Sequence, residues 1–568
     1  MQQASEDNVP QTNNLVSSHI EKAMGQHDAV GVDTKHEAST EDDATEITRP
    51  TLRDKLNKPL RFHLAFLSLL IMVFIVSVDA TALAVALPTI TKEVNGTTLE
   101  AFWANIAFLL LVTIVQPIYT TLSDILGRKI PLYAAFFLFF VGSIVFAVAP
   151  SLPVIILGRA IQGLGCGGID VLNEVIIADI TTLKERAFYI GMLSVPMALG
   201  TVLGPILGAV FSEYATWRWI GWINLPLVGI CLPLTIFCLR LKPMPDTFRQ
   251  QLARVDWTGI GLFTTGAVLF TLPLSWAGAM YPWGSWRTIV PLIIGVLVLI
   301  FFGWYESKPA EPMFPHRIFR NRTAAATLAG SFIHGLVLYT LISYLPLYFQ
   351  AILLKSPLDS AVSLIPFFAV LMAFTAIAAF AVEYSRRYLW QIWIGWVLLT
   401  VGTGLFGLWH IEQGMAMTAS FQVIAGIGIG SLFTVLPIPM QASPEKTEDQ
   451  GLAVGMLVAF RLFGALIGLA IASTAFNSRF GQAIASIGNT ISDIPHLNPK
   501  DALSFIPGLK GTTMPHETLL AVQGAYTESF RVVFYVLAAF GAVGAMTSLL
   551  TKELTIESEE QGKQAFNA

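Results

Sequence analysis

Residues 63–88 read HLAFLSLLIMVFIVSVDATALAVALP. A run of this length and composition can cross a membrane as one helix. Spanning a hydrocarbon layer roughly 30 Å thick takes about 20 mostly apolar residues, and a helix satisfies its own backbone hydrogen bonds there. The run contains one acidic residue, Asp79. It predicts a first membrane helix, and the number of similar runs that follow decides the fold.

Thirteen more apolar runs follow along the chain. We place them at 102–121, 131–149, 153–178, 187–211, 219–240, 257–276, 288–305, 324–349, 360–382, 389–408, 415–437, 452–476 and 530–550. Of the 568 residues, 54% are hydrophobic and only 13% are charged, whereas soluble domains are near a quarter charged. The sequence therefore predicts an all-α polytopic membrane protein with fourteen transmembrane helices.

The polar residues concentrate at the two ends of the chain. Residues 1–60 have too little apolar surface to fold and predict a disordered tail, and residues 553–568 predict a second tail. The N-terminus lacks the pattern of a cleavable signal peptide. We therefore expect the first membrane helix to serve as its own insertion signal.

Basic side chains cluster at alternate ends of the predicted helices, and this indicates their orientation. They are Arg53, Lys55, Lys58, Arg61, Arg128, Lys129, Lys184, Arg186, Arg240, Lys242, Arg317, Arg320, Arg322, Arg386 and Arg387. The face that carries them should be cytoplasmic, and an even number of helices puts both termini there. We expect the plasma membrane, with a vacuolar or vesicle membrane as the alternative.

The opposite face has two features of note. The sequon Asn95-Gly96-Thr97 lies in its first loop, so Asn95 is a candidate for glycosylation. Its only long segment, 478–528, is rich in Pro, Gly, Ser and Asn and predicts a mostly irregular loop.

Several function classes find no support in the sequence. The formal net charge is -4 and no basic face is sustained, so we expect no nucleic-acid partner. The three cysteines lack metal-ligand spacing, and the only Gly-Lys pair, Gly562-Lys563, is not part of a phosphate-binding loop. No nucleophile with a base and no His/Asp cluster lies on the helices. We expect no enzyme activity, no cofactor and no metal.

Ionisable groups inside a membrane helix are costly, so each one is a functional candidate. At 100° per residue, one stripe of the fourth helix carries Arg159, Gln162, Cys166, Asp170, Asn173 and Glu174. We expect this stripe to face a water-accessible cavity, with Asp170 and Glu174 carrying protons and Arg159 tuning them. The alternative is a buried pair of Arg159 with one acid that only fixes helix packing.

Three further ionisable residues lie within predicted helices. Asp79 is an additional proton-coupling candidate, against the alternative of a hydrogen bond to a neighbouring helix. Arg461 in the thirteenth helix is a candidate that could equally be a structural partner. A lone histidine such as His334 is more often a satisfied core residue.

Two further motifs combine glycine with charge or proline. Between the second and third helices lies a tight loop that contains Asp124, Gly127, Arg128 and Lys129. Such a loop can form interhelical charge contacts that hold one conformation shut, whereas ordinary positive-inside anchoring explains only its two bases. The fifth helix carries Gly200, Gly204, Pro205 and Gly208, a spacing that predicts close helix approach together with a kink.

These motifs together resemble the major facilitator superfamily, and within it the fourteen-helix drug and toxin proton antiporters common in fungi. The Asp124–Lys129 loop looks like the signature of the superfamily, Arg159–Gly165 like its fourth-helix motif, and Gly200–Gly208 like its antiporter motif. Asp79–Pro88 resembles the first-helix signature of the branch, although Ala84 stands where that branch often has Asn. The stretch from Trp217 to Pro226 is also similar, and the resemblance covers about residues 60–555.

The resemblance implies two six-helix bundles, at 61–240 and 323–552, joined by a linker at 241–322 that adds two helices. It implies a proton-coupled transporter that exports small amphipathic compounds by alternating access. In it Gly204 and Pro205 would shape a hinge, and the Asp124–Lys129 loop would gate the cytoplasmic side. The expected partners are the substrate, protons and the lipid bilayer, with the chain acting as a monomer. A major-facilitator importer or a nontransporting membrane sensor is the alternative.

Overall fold

Fourteen helices in the described part of the chain are long and apolar enough to cross a membrane. The structure is a computed structural model and describes residues 58–94, 98–244, 247–277, 281–309, 311–411, 413–487, 509, 515–558 and 560–566. Within these ranges there is no β-strand, only two isolated bridges. The predicted all-α membrane fold is confirmed, and each predicted run overlaps one spanning helix.

The spanning helices are numbered α1 to α14 in chain order. Their bounds are Leu60–Glu93 (α1), Thr98–Leu126 (α2), Lys129–Ala147 (α3), Leu152–Ile180 (α4), Leu183–Tyr214 (α5), Asn224–Cys238 (α6), Trp257–Trp276 (α7), Trp286–Tyr305 (α8), Arg322–Ala351 (α9), Ile365–Ser385 (α10), Leu389–Leu405 (α11), Met415–Val435 (α12), Gln450–Ile487 (α13) and His516–Ser548 (α14). Short helices at Trp219–Trp222, Pro357–Val362 and Pro437–Ala442 extend three of them.

The helices pack into two halves. In the first half the main pairs are α1 with α5, α3 with α4 and α2 with α4, and in the second half they are α9 with α13, α10 with α12 and α11 with α12. The inserted helices α7 and α8 pack against each other. The halves meet where α2 and α4 contact α13 and where α5 contacts α10. This is the predicted arrangement of two six-helix bundles with two extra helices.

The glycines of the fifth helix place α5 directly on α1. A β-carbon at Gly200 would lie 2.7 Å from the Ser77 side chain, and one at Gly204 would lie 2.9 Å from the Val78 carbonyl oxygen. Real β-carbons do not approach other atoms so closely, so only glycine permits this contact. The Gly200–Gly208 stripe therefore brings α5 against the part of α1 that carries Asp79.

The long irregular loop predicted at 478–528 is wrong at both ends. Helix α13 continues to Ile487, and α14 begins at His516, well before the predicted 530. The physical reason is that aromatic rings of the two helices pack on each other near these ends, with Phe480 and Tyr526 centroids 4.6 Å apart and Phe476 and Phe530 centroids 4.8 Å apart. Apolar length marks only the part of a helix that lies in lipid. Asn95, the glycosylation candidate, lies outside the described residues.

The described residues after α14 do not form a free tail. After α14 the backbone crosses the helix ends on the face that carries the basic loops. The Leu554 amide donates to the Tyr388 hydroxyl at 2.7 Å, and the Phe566 ring packs on Phe62 with centroids 5.4 Å apart. Because Tyr388 belongs to the second half and Phe62 to the first, this C-terminal segment, the described residues 551–558 and 560–566, contacts both halves.

Candidate functional site

A buried polar cluster, the Asp79 cluster, lies inside the first half. It comprises Asp79, Ser143, Arg159, Gln162 and Asn224, all less than a tenth exposed. Arg159 Nη1 lies 2.7 Å from Asp79 Oδ2, and Asn224 Nδ2 donates to Asp79 Oδ1 at 2.8 Å. Gln162 Nε2 donates to the same oxygen at 3.3 Å and to Ser143 Oγ at 2.9 Å. The cluster joins α1, α3, α4 and α6 through one carboxylate.

A second cluster, the interface cluster, lies between the halves and comprises Gln116, Asp170, Glu174 and Arg461. Gln116 Nε2 of α2 donates to Asp170 Oδ2 at 2.8 Å. One turn further along α4, Glu174 Oε1 lies 3.8 Å from Arg461 Nη1 of α13. The Glu174 side chain is 25% exposed whereas that of Arg461 is 3% exposed. Two acids of one half thus lie on the side of α4 that faces a cation of the other half, and the Glu174 side chain is partly exposed.

Arg159 does not lie beside Asp170 or Glu174, the two acids that the sequence predicts it to tune. Arg159 and Asp170 do lie on the same helical stripe, but eleven residues at 1.5 Å each separate them by about 16 Å along the axis. The guanidinium instead pairs with Asp79 and lies 3.9 Å from the centre of the Phe108 ring. Arg461 is the cation that lies beside the acids.

His334 is a buried residue with a backbone partner. Its Nε2 lies 3.0 Å from the carbonyl oxygen of Ile429 in α12. The ring therefore links α9 to α12 through Nε2, while its Nδ1 is buried and has no hydrogen-bond partner among the described residues.

A third cluster, the loop cluster, is built on the Asp124–Lys129 loop. Arg128 Nε donates to Asp179 Oδ2 at 2.7 Å with both side chains fully buried, and Arg128 Nη1 lies 3.3 Å from Asp124 Oδ1. Lys563 Nζ lies 2.9 Å from Asp124 Oδ2, and the Arg128 amide donates to Gln564 Oε1 at 2.9 Å. Burial alone would lower the pKa of Arg128, but the charges of Asp179 and Asp124 raise it above its ordinary value.

The two remaining loop residues have different surroundings. Gly127 has φ +82°, a left-handed conformation that glycine adopts without strain, so it allows the sharp turn between α2 and α3. Lys129 begins α3 and is half-buried.

Sequence reasoning missed the residues that complete these clusters. Gln116 and Asp179 are single polar residues whose partners lie far away in the sequence, on another helix or in a loop, so no local pattern marks them. Arg186 was noted only as a basic loop residue, yet it is buried and its Nη1 donates to Gln441 Oε1 at 3.0 Å and to Gln450 Oε1 at 2.9 Å. It joins the two halves near the loop cluster.

Comparison with known proteins agrees with this architecture. Residues 69–469 match the Major Facilitator Superfamily. The chain is 42% identical over 513 residues to an MFS-type transporter, sphD, of Aspergillus fumigatus, covering 90% of this chain and 88% of the relative. It is 33% identical over 522 residues to the efflux pump FUS6 of Gibberella fujikuroi, covering 88% and 91% of the two chains. It is also 33% identical to an MFS-type efflux pump, MMF1, of Pseudozyma antarctica, covering 89% and 93%.

Solved structures share the fold at low sequence identity. A proton:xylose symporter, XylE, superposes with a TM-score of 0.56 at 13% identity, over 87% of this chain and 98% of that one. A bacterial homologue of the lysosomal transporter Spinster superposes with a TM-score of 0.52 at 18% identity, over 89% and 99%. The chain is a multi-pass membrane transporter with fungal efflux pumps among its relatives, and it belongs to the major facilitator superfamily.

Proposed function

We propose that this transporter exports small amphipathic organic compounds, driven by protons that enter in exchange. The two halves rock about the contacts between them and expose a central path to one side of the membrane at a time. The observation that carries the proposal is the interface cluster, where acids of α4 meet a cation of α13 at the boundary that must open.

The geometry of the interface cluster suits proton coupling. At 3.8 Å the Glu174–Arg461 pair is a charge contact without a short hydrogen bond. A proton on Glu174 removes its charge and with it the attraction that draws α4 towards α13. Asp170, held by Gln116 one turn away, is the second acid. Proton binding on either one therefore biases the equilibrium between closed and open halves.

The Asp79 cluster has a different part in the proposal. Asp79 is 1% exposed and accepts hydrogen bonds from three side chains. This carboxylate therefore has little access to water. We assign Asp79 and Arg159 to holding the first half together as a rigid body, and the proton to Asp170 and Glu174.

The loop cluster forms the gate in this scheme. Arg128 and Asp124 tie the α2–α3 turn to α4 and to the C-terminal segment, and Arg186 ties α5 to the second half. We place this face in the cytoplasm with both termini, in the plasma membrane or alternatively in a vacuolar or vesicle membrane, with the chain acting as a monomer. The α5–α1 contact made by Gly204 beside Pro205 limits leak while the halves move.

The names of two relatives, both efflux pumps, support export as the direction. Their names do not identify a substrate for this chain, and its chemical class rests on the resemblance to drug and toxin antiporters.

The test is a flux assay in a host depleted of its own exporters. Cells that express the wild type should accumulate less of some dyes or toxins in a panel, and a proton uncoupler should abolish the difference. Asp170→Asn and Glu174→Gln should lose this uncoupler-sensitive efflux at normal surface expression. Glu517→Gln, which changes an exposed acid at the start of α14, is the matched control and should transport normally.

Three results would contradict the proposal. Coupled efflux retained in both acid variants would reject the assigned proton carriers. Higher accumulation in expressing cells would indicate an importer. No flux of any compound, with the protein folded at the surface, would favour a nontransporting sensor.

A further inference from the structure

Two acidic residues lie near each other at one end of the inserted helix pair α7 and α8, on the face that carries the basic loops. This end of the pair is away from the interface cluster. Asp256 caps α7, where its Oδ1 accepts from the Gly259 amide at 2.9 Å and from the Tyr305 hydroxyl at 3.0 Å. Glu306 directly follows α8, and its Oε2 accepts from the Phe314 amide at 2.8 Å. Glu306 is only 2% exposed. Each carboxylate thus has one oxygen fully engaged in fixing local structure.

The second oxygen of each carboxylate is buried and has no hydrogen-bond partner among the described residues. These atoms are Asp256 Oδ2 and Glu306 Oε1. A β-carbon at Gly259 would touch the first and lie 3.1 Å from the second. The two oxygens therefore lie within about 6 Å of each other, a range at which one carboxylate charge opposes ionisation of its neighbour. The glycine leaves the space between them open.

Two neighbouring acceptors cannot form a hydrogen bond with each other unless a proton is added. An ionised carboxylate only accepts, whereas a protonated one also donates. A buried oxygen without a partner costs free energy, and one proton between the two oxygens satisfies both. The two buried oxygens without partners are therefore a candidate proton-binding site.

The nearby cations are engaged with other groups. Arg254, at the end of the short helix Phe248–Arg254, donates to Glu311. Lys308 places its Nζ 3.7 Å from the centre of the Trp304 ring. The charged group that acts on Glu306 is Asp256, and its sign disfavours an ionised Glu306.

We propose that Asp256 and Glu306 form a proton-binding site in which one proton is shared between Asp256 Oδ2 and Glu306 Oε1. The site is separate from the interface cluster and does not depend on the direction or the energy source of transport. Burial, with a smaller contribution from the negative charge of Asp256, raises the pKa of Glu306 to about 7. The site is therefore half-occupied near neutral pH.

The site is connected to the segment that leads into α9. Glu306 holds the Phe314 amide, and the Phe314 ring packs on Phe263 with centroids 5.4 Å apart. The neighbouring Met313 carbonyl accepts from Thr121 Oγ1 of α2 at 3.4 Å, close in sequence to Asp124. Loss of the proton places two negative charges next to the segment that leads into α9. Binding of the proton should therefore affect how strongly this segment packs against α2 and α7.

The experiment measures the proton on the purified full-length protein in lipid nanodiscs. Infrared difference spectra between acidic and alkaline pH report the carbonyl stretch of protonated carboxyl groups. The difference spectrum of the wild type should contain a band with a midpoint near pH 7 that Asp170→Asn and Glu174→Gln keep and that Glu306→Gln lacks. Glu311→Gln is the matched control, because this acid lies on the same segment but pairs with an exposed arginine, and it should keep the band.

Asp256→Asn provides a second variant, because asparagine caps a helix as well as aspartate does and should preserve folding. The Asp256→Asn variant should lack the shared proton between the two carboxylates. The band of Glu306 should then disappear with a midpoint at lower pH than in the wild type. If neither variant folds, ¹³C-carboxyl glutamate introduced into the Glu174→Gln protein should shift the band by its isotope effect. A neutral-pH midpoint with no glutamate band, or a band unchanged in Glu306→Gln, would overturn the proposal. Displacement of the proton by added Ca²⁺ at fixed pH would overturn it in favour of a metal site.

Discussion

Replacing Asp79 with alanine should destabilise the first half more than any exposed acid substitution. The change removes the charge partner of Arg159, whose side chain is fully buried, and leaves Asn224 and Gln162 each without one acceptor. Breaking a buried ion pair from one side costs about 3–5 kcal/mol, because the remaining charge stays buried without compensation. We expect the free energy of unfolding to fall by this amount.

The matched control is Glu528→Ala. Glu528 pairs with Arg479 between α13 and α14, but the two side chains are 46% and 41% exposed. An exposed pair of this kind contributes about 0–1 kcal/mol. The assay is chemical unfolding of the purified variants in mixed micelles, followed by tryptophan fluorescence, with retention on size exclusion as the check of folding.

A double variant separates loss of a contact from exposure of an unpaired charge. Asp79→Ala with Arg159→Leu removes both charges, so it should be less destabilised than the sum of the single variants. The reasoning is refuted if Asp79→Ala costs no more than Glu528→Ala, or if the double variant equals that sum. Either result would mean that the buried pair is not the main stabilising feature of the Asp79 cluster.

Three further predictions follow from other parts of the structure. Gly204→Ala should lower the free energy of unfolding by about 1–3 kcal/mol through overpacking against α1. The control is Gly229→Ala, where no heavy atom lies within 4 Å of the added carbon, and it should be neutral or slightly stabilising in the same assay. Truncation after Thr551 removes the acceptor of the Arg128 amide, so hydrogen exchange there should accelerate, and unchanged protection would contradict the docked C-terminal segment. The pKa of Glu306 is raised from 4.5 to about 7, so the folded protein binds this proton more tightly than the unfolded chain does. The contribution of Glu306 to the free energy of unfolding should therefore fall as pH rises from about 4.5 to about 7 and stay level above. Glu306→Gln should remove this pH dependence from unfolding curves measured across that range.

The sequence indicates many residues of the candidate site one by one, but it does not indicate which of them contact each other. Asp79, Asp170, Glu174 and Arg461 stand out because charge is rare inside apolar runs. Their partners could not be assigned, because helical periodicity gives the face of a residue and not the neighbour that the face meets. Arg159 illustrates this, since its stripe includes Asp170 while its contact is Asp79 on another helix.

The sequence by itself determined the number of membrane helices, their approximate limits and their membrane location. Apolar length is a local property, since each helix must satisfy its backbone hydrogen bonds within its own segment. Tertiary structure alone decided which charges pair, that α13 and α14 extend beyond their apolar runs, and that the C-terminal segment docks across both halves. These outcomes depend on contacts between segments distant in the chain, such as Arg128 with Gln564, and short-range patterns do not encode such contacts.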